Sequence, residues 1–88
     1  MIIRQYDFIV EGAHESGRKF SQEFLVVAGS EAEALQELRA CLDSYEPVDT
    51  WRVATGPKVS DLQPGDSAVA KYEVQGAFTV YDPEFSFV

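Results

Sequence analysis

One segment of this chain, residues 31–44, repeats its apolar residues at helical spacing, and this segment most constrains the possible folds. Ser30 and Glu33 have the spacing of a capping box, in which each side chain accepts a hydrogen bond from the other residue's backbone amide. Pro47 cannot continue a helix. We therefore expect one helix over about 31–44, with an apolar stripe made of Ala34, Leu35, Leu38, Cys41, Leu42 and Tyr45.

Alternating apolar and polar residues predict strands on both sides of this helix. Residues 2–11 and 19–28 alternate in this way, and the polar, turn-rich stretch 12–17 between them indicates a hairpin. Residues 49–55 form a shorter third strand, with Trp51 and Val53 on one face. After a loop over 56–67, residues 68–81 are predicted to form the longest strand, with Ala70, Tyr72, Val74, Phe78 and Val80 on one side.

The predicted order ββαββ indicates an α+β fold. One helix with one apolar stripe can cover one face of an antiparallel sheet of about four strands. The whole chain, 1–88, is predicted to form a single domain, with a short apolar tail from about residue 82. The expected core packs three helical leucines against the sheet and consists of Leu35, Leu38, Leu42, Phe8, Phe24, Val53 and Val74.

Composition limits the class of protein further. Hydrophobic residues make up 45% of the chain and aromatic residues 12%, which is enough for a folded core and argues against disorder. Cys41 is the only cysteine, so an intrachain disulfide is impossible, as is typical of proteins in the reducing cytoplasm. No apolar run approaches the roughly 20 residues that a membrane span needs, so we expect no membrane partner.

The chain offers no residue pattern typical of catalysis. His14 is the only histidine and falls in the predicted hairpin loop, where a solvated side chain is expected. Cys41 lies on the apolar stripe of the helix, where a buried, inert thiol is expected. The spacing of the acidic residues matches no metal-binding loop, and no glycine-rich phosphate loop is present. The sequence therefore predicts a protein without catalytic activity, metal or cofactor.

Negative charge is concentrated in the helical segment. The chain has a formal net charge of -8, and residues 31–49 carry six acidic residues against Arg39 alone, a net of -5. Such a surface favours a basic protein partner and argues against direct contact with nucleic acid. The predicted partner-binding residues are Glu31, Glu33, Glu37, Asp43, Glu46 and Asp49.

A second candidate surface is apolar. One helix leaves the other face of a four-stranded sheet uncovered, and exposed apolar side chains on such a face often mark a homodimer interface. An equally weighted alternative is that the C-terminal tail folds back over this face. The predicted self-association residues are Leu25, Val27, Val69, Tyr81, Phe85 and Phe87.

The short acidic chain, with the run SEAEALQEL at Ser30–Leu38, a small sheet and no catalytic set, resembles the anti-CRISPR proteins of phages. The resemblance is one of type, spans the whole chain, and transfers no site residues. It implies an inhibitor in the host cytoplasm that binds a CRISPR effector complex and blocks the loading of target DNA. The competing classes are a small subunit that dimerises through the open sheet face, and a small enzyme or ligand carrier with a pocket between helix and sheet.

Overall fold

The computed structural model describes residues 2–44 and 50–80. These residues form strands β1 (Arg4–Ala13) and β2 (Lys19–Ala28), helix α1 (Glu31–Asp43), strand β3 (Thr50–Asp61), helix α2 (Ser67–Gln75) and strand β4 (Phe78–Thr79). The strands make one four-stranded antiparallel sheet in the order β3-β1-β2-β4. The predicted α+β class and sheet are confirmed. The predicted order ββαββ with a single helix is wrong, because the order is ββαβαβ.

The β1–β2 hairpin forms where the alternation predicts it. The two strands pair from Arg4 with Ala28 to Ala13 with Lys19. Gly17 closes the turn with a φ of 88°, a left-handed conformation that suits glycine. Because side chains alternate across a strand, one face of the hairpin is apolar and fully buried. This face carries Tyr6, Phe8, Val10, Phe20, Phe24, Val26 and Ala28.

Helix α1 covers this apolar face and completes the core. Ala34, Leu38 and Leu42 are each 0% exposed, and Cys41, Trp51 and Val53 pack against the same cluster. The predicted core positions Leu38, Leu42, Phe8 and Phe24 are confirmed. Two predictions are wrong, since Leu35 is 40% exposed at the edge of the stripe and Val74 is 85% exposed on α2.

The predicted strand over 68–81 is replaced by α2 and the two-residue strand β4. The Asp66 side chain caps the helix by accepting from the Ala68 amide over 2.9 Å, and the Gly76 amide donates to the Tyr72 carbonyl over 2.7 Å at its end. Alternating apolar residues suggested a strand here. The half-buried side chains of α2, however, are Ala68, Val69 and Tyr72, whose spacing is helical.

Strand β3 extends through the region predicted as a loop. The pairing of β1 with β3 shifts register twice between Asp7 and Val10, because β3 has an extra residue at Gly56–Pro57 and another at Ala54. Gly56 has a φ of 113°, and a Cβ there would lie 2.6 Å from the Asp7 carbonyl oxygen, so glycine is required. Proline is tolerated because β3 is an outer strand. The Gly-Pro pair therefore bends the strand rather than ending it.

Candidate functional site

The structure separates the six predicted partner-binding carboxylates into three groups. Glu31 and Asp43 are exposed at the two ends of α1. Glu33 and Glu37 are half-buried along one side of the helix. Glu46 and Asp49 lie outside the described residues. Helical geometry places Glu31, Glu37 and Asp43 about 120° apart around α1, so the described acids are spread around the helix and do not form one face.

Glu33 is engaged in the fold. Its Oε1 accepts from the Gly29 amide over 3.0 Å and from the Tyr72 hydroxyl over 2.6 Å. The Ser30 hydroxyl accepts from the Glu33 amide over 3.2 Å, as the capping box predicts. The Glu33 carboxylate, however, accepts from the Gly29 amide and not from the Ser30 amide. Because Tyr72 belongs to α2, this carboxylate joins the start of α1 to the second helix. It is less available to a partner than its sequence position indicated.

The hydrogen bonds of Glu33 change two pKa values in opposite directions. The Tyr72 hydroxyl and, to a smaller extent, the Gly29 amide stabilise the ionised carboxylate and lower the pKa of Glu33. The same hydrogen bond, together with partial burial, raises the pKa of Tyr72. At neutral pH the pair therefore consists of a carboxylate and a neutral phenol, in which the phenol donates.

Replacing Tyr72 should reveal this link through pH. Tyr72→Phe removes the donor, and we expect it to lower the free energy of unfolding by about 1 kcal/mol at neutral pH, at the low end for a charged acceptor because the pair is partly solvated. The pKa of the Glu33 carboxylate is lower in the folded than in the unfolded chain. The carboxylate therefore stabilises the fold at pH values above its pKa in the unfolded chain, and this contribution is lost as the pH falls through its pKa in the folded chain. The difference between wild type and variant should therefore shrink in acid.

Urea denaturation at neutral pH and near pH 3 measures this difference. Glu73→Gln, on an exposed residue of the same helix, is the control and should shift neither midpoint appreciably. A Tyr72→Phe deficit of equal size at both pH values would show that the hydroxyl acts independently of the Glu33 charge.

The three described residues among those predicted for self-association do not lie together on one open face. Leu25 is half-buried, whereas Val27 is 0% exposed and therefore not accessible to a second copy. Val69 lies on α2 rather than on a strand, because the predicted fourth strand is helical there. Tyr81, Phe85 and Phe87 lie outside the described residues. Of the two described residues that lie on a strand, Leu25 and Val27, only Leu25 is partly exposed to solvent.

The sheet face opposite α1 also carries a pair of carboxylates that the sequence analysis did not identify. The β1–β2 register places Asp7 opposite Leu25 and Glu23 opposite Ile9, so the two acids are diagonal neighbours. A hydrogen bond with Asp7 and the charge of Asp7 raise the pKa of Glu23. Lys58, which lies opposite Asp7 in the register of the neighbouring strand β3, has the opposite effect and lowers this pKa. The hairpin register alone is enough to find this pair.

His14 contacts a serine in the hairpin turn. Its Nδ1 lies 3.0 Å from the Ser16 hydroxyl and accepts from the Ser16 amide, also over 3.0 Å. Nδ1 is therefore occupied by a local turn contact, and both residues lie at the surface of the hairpin. The contact stabilises the turn in the way that short polar side chains commonly do.

A hollow of about 550 Å³ opens at the hairpin end of the sheet, where Trp51 and Phe20 form its apolar wall. The Arg39 guanidinium lies 6.0 Å from the Trp51 ring centre, within cation–π range. Arg52 at the rim pairs with Glu11 over 2.9 Å. Arg39 and Arg52 are thus both engaged with neighbours of the same chain.

Within residues 2–44 and 50–80, no three His, Cys, Asp or Glu side chains are grouped closely enough to hold a metal ion. Neither of the two described helices is long and apolar enough to cross a bilayer. The whole sequence and the fold match no known family model, characterised protein or solved structure.

Proposed function

We propose that this chain is a small, non-catalytic acidic inhibitor that binds a basic protein surface, in the manner of the anti-CRISPR proteins. Its target is the nucleic-acid-binding surface of a defence complex, such as a CRISPR effector, and its place of action is the cytoplasm of a phage-infected host. The observation that carries the proposal is the net charge of -5 in residues 31–49, out of -8 for the chain.

Electrostatics gives the proposed mechanism. A surface that binds DNA presents Lys and Arg side chains to phosphates, and carboxylates offered at a similar spacing compete for the same cations. Opposite charges also accelerate the encounter, especially at low salt. Glu37 and Asp43 support this role because, within residues 2–44 and 50–80, neither has a hydrogen-bond partner comparable to the Tyr72 hydroxyl that holds Glu33. The inhibitor would thus act by occupying cations rather than by chemistry.

Charge reversal on α1 tests the proposal. Glu37→Lys together with Asp43→Lys should weaken binding to a purified CRISPR effector complex roughly tenfold and make the remaining affinity less dependent on salt. The fold should survive, because Asp43 is exposed and a cation suits the C-terminal end of a helix. The measurement is displacement of target DNA from the complex at two salt concentrations.

The matched control reverses two acids outside the segment, Glu15→Lys and Glu23→Lys, and changes the net charge equally. It should retain most of the affinity. Equal weakening by both pairs would show that net charge alone matters, and no weakening by either would show that the acidic side chains of α1 are only solvated.

The alternative function is a small subunit that dimerises through the open sheet face. Ile9 and Leu25 support it, because both are apolar and only half-buried in the two central strands of the sheet. The burial of Val27 reduces the apolar surface available for such a contact. This alternative becomes the better candidate if charge reversal on α1 has no effect.

A further inference from the structure

A groove of about 840 Å³ runs between α2 and the segments that flank the paired ends of β1 and β3. Ile2 and Ile3 line it from before β1, and the turn that follows Asp61 lines it from after β3. Its volume is within the range of natural ligand pockets. Most of its lining is apolar, and the larger apolar residues are Ile2, Ile3, Leu62, Pro64, Val69 and Tyr72.

The helix that forms one wall is poorly buried. Helix α2 has nine residues, and none of them is buried. An isolated helix shorter than about 12 residues is marginal in water, so α2 depends on its caps and on side-chain contacts. Those contacts are the Tyr72–Glu33 hydrogen bond and the Lys71 ammonium 4.4 Å from the Phe78 ring centre. Ile2, on the opposite wall, is 57% exposed. The groove therefore has apolar surface available on both sides.

The charged residues that line the groove are all acidic. Asp61, Asp66 and Glu73 line it, and no basic side chain does so among the described residues. The Arg4 guanidinium neutralises Asp61 over 2.8 Å, which leaves Asp66 and Glu73 as net negative charges at the α2 side. In a chain of net charge -8, this rim attracts cations rather than anions.

We infer that this groove is the docking site for a basic amphipathic peptide segment of the partner protein. Apolar side chains of that segment enter between Ile2 and Val69, and its Lys or Arg side chains face Asp66 and Glu73. This is the mode in which an amphipathic helix places its apolar face in a groove. The inference rests on the proposed function, since it assumes a basic partner, and it adds a second contact, at α2, to the one proposed for α1.

NMR titration of the isotopically labelled full chain tests the inference. The probe is a synthetic helical peptide with leucine at positions i, i+3, i+4 and i+7 and lysine elsewhere. The amide shifts should centre on Ile2, Leu62, Val69 and Tyr72. Ile2→Ser with Glu73→Lys should weaken the peptide affinity roughly tenfold, because one apolar contact and one opposite charge are lost together.

The matched control is Val59→Ser with Glu15→Lys. It removes an apolar side chain of similar exposure, 47%, and reverses one exposed charge at a distance from the groove. It should change the affinity less than about twofold, as expected for surface positions outside an interface. Equal weakening by the control pair would overturn the inference.

Three other results would also overturn it. A lysine-only peptide that binds as tightly would show that the apolar wall contributes nothing. Shifts centred on Glu37 and Asp43 would place the basic partner on α1 and leave the proposed function intact. Concentration-dependent shifts of the groove residues without peptide would assign the groove to a second copy of the chain. The chain could also bind the peptide in the groove and yet leave the loading of DNA onto the effector complex unaffected. That result would support the inference and refute the proposed inhibition.

Discussion

Leu38→Ala should lower the free energy of unfolding by about 2–5 kcal/mol, the range typical of a large-to-small change in a core. The Leu38 side chain is 0% exposed and belongs to the cluster that joins α1 to β1 and β2. Truncation leaves a cavity between the helix and the sheet, which the neighbours fill only in part. Urea denaturation followed by circular dichroism measures the change, and for a domain of this size it should be visible as a large shift of the midpoint.

The same helix provides the control. Leu35→Ala removes the same atoms from a side chain that is 40% exposed, so we expect a loss of less than about 1.5 kcal/mol, well below that of Leu38→Ala. Equal losses at the two positions would contradict the packing of α1 described above and would restore the sequence-based expectation that Leu35 belongs to the core.

Gly12→Ala should destabilise the sheet by about 1–3 kcal/mol, although it adds only one methyl group. A Cβ at this position would lie 2.2 Å from the Thr50 carbonyl oxygen and 2.6 Å from the edge of the Phe20 ring. The ring belongs to the buried core, and the carbonyl belongs to the backbone of β3, which pairs with β1 here. The two strands must therefore separate, and thermal unfolding should show the loss.

A double-mutant cycle distinguishes the two contacts. Phe20→Leu shortens the side chain over Gly12 but leaves the Thr50 carbonyl in place. If the backbone contact dominates, the costs of Gly12→Ala and Phe20→Leu should add within about 0.5 kcal/mol. A strong rescue of Gly12→Ala by Phe20→Leu would assign the clash to the aromatic ring instead.

The elements that sequence analysis predicted correctly are those whose signals are local. Ser30 caps α1, and Leu38 and Leu42 follow at helical spacing, so the helix and its buried side are determined within one segment. The β1–β2 hairpin is similar, because Gly17 and the alternation of the two strands lie close together in sequence. The acidic composition of α1 was equally evident, although its engagement with the fold was not.

The elements that sequence analysis missed depend on contacts between distant residues or on ambiguous patterns. The apolar residues of 68–75 fit both a two-residue and a helical period, and the Asp66 cap decides for α2. Gly56 and Pro57 suggested a loop, since their place in a bulge depends on the pairing of β3 with Asp7. Glu33 was assigned to a partner because Tyr72, which binds it, lies 39 positions away.

The bulge in β3 also limits aggregation. An outer strand presents unpaired amides and carbonyls along one side, and a long, flat edge of this kind recruits strands from other molecules. Pro57 offers no amide to an added strand, the bulge at Gly56 bends the edge, and Lys58 places a charge beside it. An incoming chain could therefore pair with only part of β3. This edge is thereby protected from the edge-to-edge addition of strands that leads to fibres.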